Sequence, residues 1–123
     1  MPKNILIAAA WPYANGSLHL GHVAGLLGAD ILARYFRLNG DNVLYVSGSD
    51  CHGTPIIVTA DKESKTPAEV AQRYHDEFIA TLVKGLDCSY SLFSATMGEF
   101  HKQVAEDVFR RIFEAGHMTA KTE

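Results

Sequence analysis

Hydrophobic and polar positions change their spacing along this chain in a regular order, first strand-like, then helical, then strand-like again. Asn4 to Ala9 is a continuous apolar run with no alternation, which suits a parallel strand buried on both faces. From His19 to Asn39 the apolar positions Leu20, Val23, Ala24, Leu27, Ile31, Tyr35 and Leu38 fall at helical spacing, and Gly40 stands where a helix C-terminus takes a left-handed residue. Asp41 to Ser47, centred on Val43-Leu44-Tyr45-Val46, reads as a second strand. A helix between two strands makes them a right-handed parallel crossover.

Further on, Pro55 to Glu63 reads as a short helix, although Ile56, Ile57, Val58 and Thr59 are β-branched. Thr66 and Glu69 make a capping-box pair with Pro67 at the first helical position. Ala71, Tyr74, Phe78 and Leu82 then mark a core-facing stripe that ends at Gly85. Ser89 to Phe93 is a strand candidate, and Thr96 with Glu99 forms a second capping box. Phe100, Val104, Val108 and Ile112 run down another helix to Gly116, and His117 to Lys121 reads as the start of one more strand. No repeat or low-complexity tract interrupts this order, which is that of an α/β protein with a parallel sheet and flanking helices. In such sheets ligands bind beyond the carboxyl ends of the strands.

Composition narrows the picture. With 123 residues the chain is one domain or less. Eleven Lys and Arg against 14 Asp and Glu give a net charge of −3, so no broad basic footprint for nucleic acid exists. No signal pattern and no apolar run long enough to span a membrane is present, so a cytoplasmic protein without membrane contact is expected. Cys51 and Cys88 lack a Cys-x-x-Cys partner and suggest neither a disulfide framework nor a zinc knuckle. Each reads as a small buried residue, Cys51 with the alternative of lining a pocket.

The chemistry concentrates between the first strand and the first helix, in Pro12-Tyr13-Ala14-Asn15-Gly16-Ser17-Leu18-His19-Leu20-Gly21-His22. A helix opening near His19 points its free N–H groups and positive dipole end into the space left by the loop, where a nucleotide phosphate fits. His19 and His22 project from neighbouring positions of the first turn. Gly16 is expected in a backbone shape closed to other residues, and Gly21 removes a side chain where a flat base could lie. The alternative for the two histidines is a surface or capping pair. Two such ligands without a third make a poor zinc site.

These residues carry a resemblance. His19-Leu20-Gly21-His22, with Pro12, Asn15 and Gly16 leading in, resembles the His-Ile-Gly-His signature of class I aminoacyl-tRNA synthetases. Gly48-Ser49-Asp50-Cys51-His52-Gly53-Thr54-Pro55 resembles the Asp-x-His-Gly-Thr-Pro block of the methionyl members. The resemblance implies the N-terminal half, over residues 1–123, of a Rossmann-like catalytic domain. It implies that ATP with Mg2+ activates L-methionine to the adenylate, followed by transfer to tRNA(Met). Asn15, Gly16, His19, Gly21 and His22 are then the ATP-binding residues, His19 and His22 the catalytic ones, and Trp11, Pro12, Tyr13, Asp50 and His52 the amino-acid site.

Asp50 would meet the α-ammonium, with capping of the following turn as its other reading. Trp11 and Tyr13 are an aromatic wall for a thioether or ordinary core, and His52 a substrate contact or a turn histidine. Trp11 stands where many relatives have Leu, which bears on the shape of the pocket. The family's Lys-Met-Ser-Lys-Ser loop, zinc-bearing insertion and anticodon-reading domain lie outside these residues, so most tRNA contacts and any zinc are expected elsewhere. The isolated segment is expected to be inactive and to expose apolar surface. Rival readings are an isoleucine, valine or leucine synthetase, or a non-catalytic paralogue that only binds. A small nucleotidylyltransferase would instead show a Gly-Ser/Thr-Phe-Asp-Pro lead-in.

Overall fold

A computed structural model describes residues 1–121. Its elements are β1 (Asn4–Ala8), α1 (Leu20–Leu38), β2 (Asn42–Ser49), α2 (Thr54–Glu63), α3 (Pro67–Phe78), a π-helical continuation (Ile79–Gly85), β3 (Leu92–Ala95) and α4 (Glu99–Glu114). The strands form one parallel sheet in the order β1-β2-β3. Ile7 lies opposite Tyr45, and Val46 opposite Leu92.

Helices α1 and α3 pack on one face of the sheet, with α2 against α3. Tyr45 donates its hydroxyl to the Leu26 carbonyl of α1 at 3.3 Å, and Ser49, on the same side of β2, meets His75 of α3 at 2.9 Å. Ile56, Ala60, Val70, Ala71, Phe78 and Leu82 form the core with Ala14, Leu26 and the two buried cysteines. The opposite sheet face carries Leu6, Leu44 and Leu92, exposed at 66%, 53% and 57%. Among the described residues, the expectation of a strand buried on both faces is not met by β1. A parallel strand is doubly buried only where helices lie on both sides, and β1 is an edge strand with α1 on one.

Asp30 fastens α1 to the segment before β3. Its carboxylate accepts the Ser89 N–H at 2.6 Å, the Ser89 hydroxyl at 2.7 Å and the Arg34 Nε–H at 2.7 Å. Burial pushes this carboxyl up, but the Ser89 and Arg34 bonds outweigh it and hold it below its ordinary value. Arg37 adds bonds to the Ser89 carbonyl and hydroxyl at 3.0 and 2.6 Å.

Three local readings change. β3 begins at Leu92, later than Ser89, because Ser89 and Ser91 spend their polar groups on α1 and Tyr45. Helix α4 opens at Gly98 with no side-chain cap, so the Thr96–Glu99 box does not form: the Thr96 hydroxyl is engaged by Cys51. His117 to Lys121 forms no strand. A strand needs a neighbour for its ladder, and α4, which buries no residue, does not bring this segment to a sheet edge. Among the described residues no helix is long and apolar enough to cross a membrane.

Candidate functional site

Beyond the carboxyl ends of β1 and β2 the two sequence motifs are joined by main chain. Asp50 N–H donates to the Pro12 carbonyl at 2.9 Å and Ala14 N–H to the Asp50 carbonyl at 2.8 Å, so Tyr13 and Asp50 pair as a parallel bridge. The Thr59 hydroxyl of α2 donates to the Asn15 carbonyl at 3.2 Å and holds the loop from its other side. Residues far apart in sequence thus share one rigid rim.

The helix start is capped by its own histidines. His19 Nδ1 accepts the N–H groups of Gly21 and His22 at 3.1 and 3.4 Å, while His22 Nδ1 accepts the N–H of His19 at 3.3 Å. The rings stack with centroids 3.8 Å apart. Both Nδ1 atoms act as acceptors, so in the neutral rings the proton lies on Nε2. Each exposed imidazole therefore keeps one N–H donor beyond the cap. The capping alternative is realised, and it leaves donor capacity free.

No acidic residue stands in the first turn of α1, so its positive dipole end is uncompensated there. Gly21 leaves room for the cap as it stands, since a Cβ there would lie 2.9 Å from Cε1 of His19 and the exposed ring would have to shift. Gly16 is a correction: its φ is not positive, and a Cβ would meet nothing within 4 Å. The residue that does require glycine is Gly53, at φ 105° and ψ 169°, a conformation almost closed to side chains.

A cavity of about 420 Å³ opens between the β1 end and α1, walled by Trp11, Pro12, Gly21, His22, Gly25 and Ala29. Gly25 and Ala29 escaped the sequence reading. Their signal is the four-residue spacing of small side chains, Gly21, Gly25, Ala29, along one helix face. Trp11 lies over Gly48, whose Cβ would come 2.7 Å from the indole. Tyr13 is exposed beside the same rim.

Asp50 forms no ion pair among the described residues, although Oδ1 accepts the His52 N–H at 3.4 Å and the Thr96 hydroxyl at 3.5 Å. It is thus both a turn residue and an unneutralised carboxylate. His52 is exposed, its Nε2 at 3.2 Å from the Thr96 carbonyl. Cys51 is buried, which pushes its thiol up and suits a packing role. Behind it, burial holds His75 below its ordinary value, so the ring that meets Ser49 is biased to the neutral form. Among the described residues no three His, Cys, Asp or Glu converge on a metal position.

A family model described as tRNA synthetases class I (M) matches residues 5–123. The methionine–tRNA ligase of Bacillus cereus (strain 03BB102) is 52% identical over 119 residues, covering 97% of this chain and 22% of that protein. The Mycobacterium tuberculosis methionyl-tRNA synthetase in complex with methionyl-adenylate superposes with a TM-score of 0.84 at 28% identity, over 93% of this chain and 22% of that one. The LeuRS of Agrobacterium radiobacter, in a ternary complex with tRNA and LeuAMS, gives 0.85 at 28% identity, over 94% and 15%. The chain therefore spans about a fifth of the length of its methionine-type relatives, and backbone likeness alone does not separate methionine from leucine.

Proposed function

The chain belongs to the class I tRNA synthetases, in the methionine group, and from that premise we propose that it is the N-terminal half of a catalytic domain whose full-length protein joins methionine to tRNA(Met). The reaction begins with attack by the methionine carboxylate on the α-phosphorus of ATP. A new carboxyl–phosphoryl bond forms, the bond to the β-phosphate oxygen breaks, and pyrophosphate leaves. The aminoacyl group then passes to the tRNA.

Most of the catalytic work in such a step is holding the reactants in line and stabilising charge on the phosphoryl oxygens. In this reading the Nε2–H groups of His19 and His22 donate to the triphosphate at the helix start. Asn15, Gly16 and Gly21 shape the nucleotide's seat. Asp50 takes the α-ammonium, and Trp11, Pro12, Tyr13 and His52 surround the amino acid. Mg2+ enters in this reading with ATP, as part of the substrate. Most contacts to tRNA, and any zinc, belong in this reading to regions outside this chain, and the setting is cytoplasmic.

The observation that carries the reading is the main-chain bridge between Tyr13 and Asp50, which sets an unpaired carboxylate beside a loop leading to an anion-receptive helix start. Methionine is favoured over leucine by the 52% identity to a methionine–tRNA ligase. Pyrophosphate exchange by the full-length protein, run with methionine, leucine, isoleucine and valine in turn, tests it. Exchange should depend on methionine, and exchange driven by one of the others instead would refute the assignment.

A further inference from the structure

Thr96 stands just past β3, outside every motif, in a stretch that reads locally as a helix cap. Its polar atoms are nevertheless committed to the motif at the end of β2. Its N–H donates to the Ser49 carbonyl at 3.1 Å, its hydroxyl accepts the Cys51 N–H at 2.8 Å, and its carbonyl lies 3.2 Å from His52 Nε2. Because the hydroxyl oxygen is occupied as an acceptor, its own hydrogen is free to be donated. The acceptor within reach is Asp50 Oδ1, at 3.5 Å.

The second donor to Asp50, the His52 N–H, also falls on Oδ1. Oδ2 accepts no bond among the described residues. Both donors approach the same oxygen at long range, which biases the plane of the carboxylate and leaves the other oxygen, with both lone pairs, open to a cation. We propose that Thr96 is a positioning residue that holds Asp50 Oδ1 so that Oδ2 faces the α-ammonium of the amino acid. The proposal rests on the reading of Asp50 given above, and it adds a residue from just past the third strand to a site otherwise built around the ends of the first two.

The test is a set of substitutions in the full-length protein, read in pyrophosphate exchange. Thr96→Val keeps the shape of the side chain and removes the hydroxyl. It should raise the KM for methionine about tenfold, the lower end for a hydrogen bond to a charged group, and leave the KM for ATP unchanged. Thr96→Ser, which keeps the hydroxyl, should stay near the parent. Asp50→Asn should raise the methionine KM further, and adding Thr96→Val to it should change nothing more, since the hydroxyl acts through that carboxylate.

A purely structural role, through the lost Cys51 N–H bond, would lower stability and affect both substrates alike. Equal rises for methionine and ATP, additivity with Asp50→Asn, or failure of Thr96→Ser to restore the KM would each overturn the proposal. If Asp50→Asn itself leaves the methionine KM unmoved, the amino-acid reading fails and this proposal with it. If Asp50→Asn raises it and Thr96→Val does not, only the role of Thr96 fails. Should Thr96→Val prove insoluble, Thr96→Ala is judged by the same outcomes.

Discussion

Helices α1 and α3 begin with the same reciprocal device built from different atoms. At α3, Thr66 accepts the Glu69 N–H at 3.2 Å, and Glu69 Oε2 takes both the Thr66 N–H at 2.8 Å and its hydroxyl at 2.7 Å. At α1, His19 and His22 exchange the equivalent bonds through Nδ1. The difference is charge and leftover capacity. Glu69 places an anion on the positive end of its own helix and finishes that end. The imidazoles satisfy the same backbone groups without neutralising the dipole, and each keeps an Nε2–H. One cap closes a helix; the other leaves it able to receive an anion.

The largest effect should come from removing that leftover capacity. In the full-length protein His22→Ala should slow adenylate formation by about 10² to 10³, the usual loss for one preorganised donor to a developing charge. The KM for methionine should scarcely move if, as proposed, the lost group serves the triphosphate. Rapid-quench measurement of adenylate would show it, and near-normal rates would break the comparison at its root. Thr66→Ala, at the closed cap, should leave that rate alone.

A finer test separates the cap from the helix. Gly21→Ala favours the helix by about 1 kcal/mol in intrinsic propensity, yet its Cβ would press on the His19 ring at 2.9 Å. The two effects oppose each other in stability, so the unfolding midpoint should change little while adenylate formation falls about tenfold from the displaced donor. A variant that is as active as the parent would mean that the ring positions do not matter.

The same contrast explains which parts of the molecule were legible in the sequence. Helix α1 is foreseen to within a residue because its signals, His19 at one end and Gly40 with φ 83° at the other, are local. The Thr66 box is foreseen for the same reason. Thr96 has the same local pattern and a different fate, since its partner is the N–H of Cys51, across the sheet. No periodicity reports on a competitor that arrives only after β3 pairs with β2. The π-helical turn is likewise invisible in the stripe: Leu82 is buried as expected, but the Leu86 N–H bonds five residues back to Thr81. The apolar run of β1 states what the strand tolerates, whereas its one-sided cover among the described residues follows from topology. At the site, the convergence of Pro12 and Asp50 follows from strand order, whereas the tautomers of His19 and His22 needed atomic geometry.

The smallest effect lies at the closed cap and differs from the open one in kind. Thr66→Ala should cost about 1 kcal/mol of stability, as the loss of an N-cap hydroxyl usually does. The Thr66 hydroxyl and N–H hold the Glu69 carboxyl below its ordinary value. A carboxyl with a depressed value in the folded state contributes stability that is complete above its unfolded value and fades as pH falls through the folded one. The gap in unfolding midpoint between the parent and Thr66→Ala should therefore be widest near neutrality and narrow on the acid side of the ordinary glutamate range. Thermal unfolding across that range measures it, with Glu69→Gln as the reference that keeps a cap and cannot titrate. If the gap stays constant into acid, the charge of Glu69 does not help to close α3, and the distinction between a cap that neutralises its helix and one that leaves it open loses its electrostatic basis.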